Sequence, residues 1–327
     1  MTTGYLLTCG TSLLGNLVNP DPKKPVAARL AAALNGVEPQ LREAIHPRPE
    51  RFTYEPTLRR VLDDFRGLRG LARDLVDDDP AHELRPLGAE LESLVRRMRG
   101  QGPEGSQPLG PDDPIALVVS DTPQGVACGL LIASMTGRAI RVLRHVGTRE
   151  ETVNGWDTES VEAGPGLPDG APIDVYIIQG LAADSEDAIS EAAPWLAGAL
   201  ARTVGATVKD PHWSEVGRNE AEISGGFKAT LPLAHALLEY CAPIANAPIS
   251  CVVRHESAPE VWIRVGLRRL TKKELSDRQA EVRTVRDGDI PDKQTMRGFA
   301  WRMTETPAGP RSELTPEGWG ILAFPLL

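Results

Sequence analysis

The residues best suited to chemistry lie in one stretch, Glu222-Ile223-Ser224-Gly225-Gly226-Phe227-Lys228-Ala229. A short apolar run from Ala221 ends at Ile223. Two glycines follow, and a helical pattern then begins with Leu231, Leu233, Ala234, Leu237, Leu238 and Tyr240. A strand, a glycine turn and a helix start together aim unpaired backbone N–H groups at an anion. Paired glycines also let a ligand approach the backbone closely. Lys228 falls in the first turn of that helix, where the helix dipole favours anions over cations. A phosphate seated between the lysine and the helix start would satisfy both. The same residues also fit a plain strand-to-helix turn whose exposed lysine costs about a few tenths of a kcal/mol. This stretch alone does not decide between the two.

A second candidate follows the first strand. Tyr5-Leu6-Leu7-Thr8 reads as a short buried strand, broken by Cys9-Gly10-Thr11-Ser12 and followed by Leu13-Leu14-Gly15-Asn16. In open α/β sheets the loop after the first strand is a favoured ligand position. Gly10 lets the backbone come close, and Thr11 and Ser12 offer hydroxyls; a strand followed by a Ser/Thr helix cap reads the same way. A third is Ser120-Asp121-Thr122-Pro123-Gln124-Gly125, with Thr122 as helix cap and Pro123 at the first helical position.

Several chemistries lack their residues. There is no G-x-x-x-x-G-K-[ST] phosphate loop. His255-Glu256 has no second histidine at helical spacing, so no zincin helix is expected. Gly10 to Gly15 is one residue too long for a G-x-S-x-G nucleophile elbow. Gly164-Pro165-Gly166 does not directly follow a strand. The six histidines are dispersed, and the expectation is no metal and no cofactor. Cys9, Cys128, Cys241 and Cys251 form no CxxC pair, which argues against a zinc ribbon or a disulfide framework.

The elements that must position these loops alternate between strand and helix. Pro25 to Leu34 reads as a helix stopped by Asn35-Gly36. Leu58 to Leu75 and Leu84 to Met98 carry apolar residues at helical spacing around Asp77-Asp78-Asp79-Pro80. They predict an inserted antiparallel helical hairpin with charged outer faces, about residues 37–113. Gly100 to Pro114 reads as a flexible linker. Ile115–Val119, Ala139–Val146, Val175–Ile178, Ile249–Val253 and Val261–Val265 read as strands, the last two pairing as a hairpin. Gly147–Pro172 reads as a loop or exposed hairpin, and His212 beside Trp213 as a loop residue. Helices are predicted from Pro123 to about Thr136, over Ser185–Val204 with a bend at Pro194, and to Cys241. The fold class is α/β, a mostly parallel sheet with flanking helices. Residues 1–266 form the main domain. Residues 267–327 form a small C-terminal α+β appendage with a helix at Thr271–Val285, a strand at Phe299–Thr304, a turn at Pro307–Pro310 and the ending Leu314-Thr315-Pro316-Glu317-Gly318. It resembles part of a winged-helix module, but its net charge of about +2 is weak for DNA binding, and a dimerisation or lid element fits it equally.

The 327 residues are 41% hydrophobic and 25% charged, ordinary for a soluble globular chain. The net charge of −9 argues against broad binding to duplex DNA, which needs a basic face. The first residues carry no basic segment leading into an apolar one, and the longest apolar region, near Leu231 to Val253, is broken by His235, Glu239, Pro243 and Pro248. The expectation is a cytoplasmic protein with no membrane contact.

Three loops, Cys9-Gly10-Thr11-Ser12-Leu13-Leu14-Gly15-Asn16, Ser120 to Gly125 and Ser224-Gly225-Gly226-Phe227-Lys228-Ala229, resemble the signature loops of CRISPR-associated Rossmann-fold (CARF) domains. The likeness is to the branch holding ring nucleases and the sensor halves of cyclic-oligoadenylate-activated ribonucleases. It covers about Met1 to Gly266, interrupted by the helical insert. The resemblance implies a Rossmann-like sheet and a homodimer binding cyclic oligoadenylate, a messenger made by type III CRISPR complexes, across its two-fold axis. A ring with an even number of nucleotides can meet one set of residues twice on such a dimer. The resemblance further implies metal-independent ring opening by the ribose 2′-OH, with Ser12 and Lys228 as the catalytic pair and cyclic tetra-adenylate as the favoured ring. Gly10, Thr11, Asn16, Thr122, Gln124, Gly180, Gly225, Gly226 and Phe227 would line the ligand. Ribonuclease members carry an R-x4–6-H motif in a second domain. Arg138 to His145 fits that spacing, but inside the sensor fold. The departure favours a stand-alone ring nuclease, an off-switch for antiviral signalling. The alternative is a non-cleaving sensor or a transcriptional regulator acting through the C-terminal element.

Overall fold

A computed structural model describes residues 2–10, 88–146, 154–161, 170–181, 186–204, 210–225, 230–254, 258, 260–307 and 309–324. The predicted helix at Pro25–Leu34 and the first arm of the hairpin lie outside the described residues. The strands are β1 (Thr3–Thr8), β2 (Ile115–Ser120), β3 (Ile140–His145), β4 (Trp156–Val161), β5 (Ile173–Ile178), β6 (Arg218–Glu222), β7 (Ile249–Arg254) and β8 (Trp262–Val265). They form one sheet in the order β4-β3-β5-β2-β1-β6-β7-β8. Pairing is parallel throughout except at the two edges, β3–β4 and β7–β8. The chain therefore has the α/β, Rossmann-like architecture expected of it. The Gly147–Pro172 segment supplies β4, and so contributes an edge strand.

Central strands of a parallel sheet are covered on both faces, which is why β1, β2 and β5 read as continuous apolar runs. Thr3, Tyr5 and Leu7 share one face with Arg218, Glu220 and Glu222. Helix α1 (Ala89–Met98) lies on that face, tied to Glu220 and Glu222 through Arg97 and Ser93. Helix α2 (Pro123–Met135) is buried nearly all round, as its apolar composition requires. It starts as the residues predict: Thr122 Oγ1 accepts from the Gly125 N–H at 3.1 Å, and Pro123 holds the first helical position. The other face, with Leu6, Val118, Tyr176 and Ala221, packs on α3 (Glu186–Thr203), which contains Pro194, and α5 (Thr230–Cys241). His212, expected in a loop, lies with Trp213 in a one-turn helix, α4 (Pro211–Ser214). The Trp213 indole is buried and donates to Asp174 at 2.8 Å.

The C-terminal element comprises α6 (Lys272–Arg286), the hairpin β9 (Trp301–Thr306) and β10 (Gly309–Leu314), and α7 (Pro316–Ala323). A capping box opens α6: Thr271 Oγ1 accepts from Glu274 N, and Glu274 Oε2 accepts from Thr271 N at 2.7 Å. Glu281 ties the element together, accepting from Met296 N and Trp301 Nε1, both at 2.8 Å. Leu275, Val282, Trp301, Ile321 and Phe324 belong to the same core cluster as α3 and α5.

The Gly100–Pro114 segment is not a free linker. Its backbone turns back on itself at Ser106 N–Pro103 O and Asp113 N–Gly110 O. Arg97 and Glu220 hold it through Gln107 and Ser106, Asp113 accepts from Thr3 N, and Leu109 is buried.

Candidate functional site

β1 has β2 on one side and β6 on the other. From β1 the chain reaches β2 through α1, while β5 leads through α3 to β6 on the opposite flank. The strand order thus reverses beside β1, and open α/β sheets bind ligands at the carboxyl ends of the strands around such a point. The two loops singled out first leave from there. Leu7 stands opposite Glu222, and the hydroxyl of Thr8, the last residue of β1, donates at 2.5 Å to the carbonyl of Gly225, three residues beyond β6. Gly225 is required by this approach. A Cβ there would collide with the Thr8 carbonyl oxygen and lie 2.7 Å from the Glu90 Cγ.

Of the expected ligand-lining residues, Gly10, Thr122, Gln124, Gly180 and Gly225 fall at the carboxyl ends of four adjacent strands, β1, β2, β5 and β6. Three inter-strand spacings set their span at roughly 14 Å. Gly180 turns the chain out of β5 with φ of 75°. The Thr122 hydroxyl is committed to capping α2 and lies 2.8 Å from Ser120 Oγ. Gln124 is the second residue of α2. Thr11, Ser12, Asn16, Gly226, Phe227 and Lys228 lie outside the described residues.

Beneath this edge is a layer of buried charge that sequence reasoning missed. The helix expected to turn its charges outward carries Glu90, Glu92, Ser93 and Arg97 inward, all buried. Glu90 Oε1 accepts from the Gly10 N–H at 2.8 Å, so a carboxylate lies at the junction of the two loops. Glu222 accepts from Tyr5 Oη and Ser93 Oγ, each at 2.5 Å, and burial raises its carboxyl above the usual range. Arg97 pairs with Glu220 at 2.6 Å and stands over the Tyr5 ring. Arg254 Nη1 is 3.2 Å from Glu92 Oε2 without hydrogen-bond geometry, and its Nη2 donates to the Ala89 carbonyl at 2.6 Å. The signal was the period-2 run Arg218, Glu220, Glu222 on a strand with no solvent face.

These surroundings limit the chemistry. Burial, and next the charge of Glu90, push the Cys9 thiol well above its ordinary range, so Cys9 is no thiolate nucleophile. Arg138 lies two residues before β3 and His145 is its last residue, roughly 23 Å apart at strand rise. Arg138 is spent on the carbonyls of Pro111, Asp113 and Ala171, while the His145 ring stacks on Trp195 with centroids 4.0 Å apart. They form no joint nuclease site. Among the described residues no helix is long and apolar enough to cross a membrane. No protein-family model matches the chain, and a comparison with curated proteins finds no match.

Proposed function

We propose that the crevice between the β1 and β6 exits binds cyclic oligoadenylate at a homodimer interface and opens it by metal-independent 2′-OH attack. The observation that carries this reading is the contact of Thr8 with Gly225. It joins at one point the two loops whose residues resemble those of CARF ring nucleases. In the proposed reaction a ribose 2′-OH attacks its own 3′-phosphate. The bond to the neighbouring 5′-oxygen breaks, leaving a 2′,3′-cyclic phosphate and a 5′-hydroxyl. Lys228 and the Gly225–Gly226 amides would stabilise charge on the phosphorane, and Ser12 would orient the attacking hydroxyl. The expected setting is cytoplasmic, and the expected role is switching off a type III CRISPR signal. Titration with labelled cyclic tetra-adenylate, with linear tetra-adenylate as control, tests the binding step. Saturable binding of the ring that weakens at least tenfold in Gly225→Ala supports the reading. Equal or absent binding of the two forms defeats it.

A second reading, a sensor that holds the ring uncut, draws on two features. The Gly10 amide, a natural anion donor, is already engaged by Glu90. The C-terminal element also shares its core with α3 and α5, a packed route from the sheet to that element. Tight binding with the ring recovered intact would select it.

A further inference from the structure

We propose that β8 is a self-complementary edge through which two copies of the chain join their sheets, antiparallel and centred on Trp262. The two sheet edges are finished differently. β4 presents Asp157, Thr158 and Ser160 to solvent, polar residues that discourage strand addition. β8 carries one charge, Arg264, whose guanidinium donates to the Glu104 carbonyl, and no lysine, proline or bulge; Val261 and Ile263 beside and within it are 44% and 46% exposed. They are two of the five large apolar side chains left exposed among the described residues.

The backbone selects the register. Val252 accepts from Ile223 N, and Arg254 N donates to Ser224 Oγ, so both residues turn their backbone groups toward the β6 side. Alternation along the strand then turns Val253 toward β8, where it meets Ile263. Trp262 and Arg264, flanking Ile263, therefore point their N–H and C=O groups outward, along an edge with no further strand among the described residues. The Val261 N–H is already used by the Ala258 carbonyl at 2.8 Å. Glu260 stands in the turn that this bond closes, outside the strand, so a two-fold contact of outward groups can centre on residue 262 or 264. Centring on Arg264 opposes two arginines; like charges directly opposite destabilise a pair. Centring on Trp262 places Val261 opposite the second copy's Ile263, and Trp262 opposite its own counterpart. Each match is apolar on apolar, and each pair shares a face. In such a pair the two candidate ligand edges point in opposite directions. This contact is therefore distinct from a dimer closing over one ring.

Mild oxidation of single-cysteine variants of the full chain, without ligand, tests the proposal. The native Cys9, Cys128, Cys241 and Cys251 are buried and compete poorly. Trp262→Cys is expected to give a reducible dimer, since its sulfurs would face each other across the axis. Arg264→Cys is not, because its counterpart lies four residues away along the strand, roughly 13 Å. Adding Ile263→Lys to Trp262→Cys is expected to cut the cross-linked yield at least fivefold, because it sets a charge against the second copy's Val261. In sedimentation velocity, Ile263→Lys is expected to lower the mass of whichever oligomer the wild type forms. No cross-link at residue 262 in a variant that melts like the wild type would overturn the proposal. So would equal cross-linking at 262 and 264, or a yield blind to Ile263→Lys.

Discussion

Glu222 sits between two hydroxyl donors with its carboxyl raised by burial, which sets the direction of its pH dependence. A carboxyl with a raised folded-state pKa holds its proton more tightly folded than unfolded, so it erodes stability as pH climbs above the ordinary carboxylate range. Thermal melts from pH 4 to 8 should show the wild type losing ground steadily to Glu222→Gln; parallel curves would contradict this. Arg97 is fully buried against Glu220, and removing it leaves an uncompensated charge. Arg97→Ala should cost about 3–5 kcal/mol in urea denaturation, whereas replacing Arg97 by Met and Glu220 by Leu together should cost less. These residues were hard to read because charge at period 2 ordinarily marks a solvated strand face. Nothing local announced that α1 would cover β6 with matching charges. Gly10, Gly225 and Thr122 were legible because turns, close approach and helix caps leave local residue signatures.

Elements were legible where one physical rule governed them. The starts of α2 and α6 follow from Thr122-Pro123 and from Thr271 with Glu274, and the structure places both there. Thr122→Ala should lower stability by about 1 kcal/mol in equilibrium unfolding. β1, β2 and β5 followed from unbroken apolar runs. β4 did not, since Trp156-Asp157-Thr158-Glu159-Ser160-Val161 is polar enough for a loop and becomes a strand only beside β3. The Gly100–Pro114 segment misled in the opposite direction: glycine and proline mark turns, and the fixing contacts come from Arg97 and Glu220, distant in sequence or in type. Gly225→Ala belongs at this scale too. Its Cβ meets the Thr8 carbonyl, so the exits of β1 and β6 must spread, and ligand affinity should fall further than the melting temperature does.

At the scale of the molecule, strand order was not written in any local pattern; it arises from which strands find covered neighbours. The same holds for the C-terminal element, whose helix and hairpin were readable but whose docking on α3 and α5 was not. Leu275, Val282, Trp301, Ile321 and Phe324 share that core, each large side chain worth about 1.5–3 kcal/mol of burial. Ending the chain at Gly266 should therefore abolish the cooperative near-UV melt instead of releasing a folded sheet domain. The proposed activity needs one crevice to act on one ring. Chromatography of cyclic tetra-adenylate after incubation with the protein in EDTA addresses it most directly. A linear product ending in a 2′,3′-cyclic phosphate, slowed about a hundredfold or more in Lys228→Ala, is the predicted result. An unchanged ring, or full activity in Lys228→Ala, would contradict it.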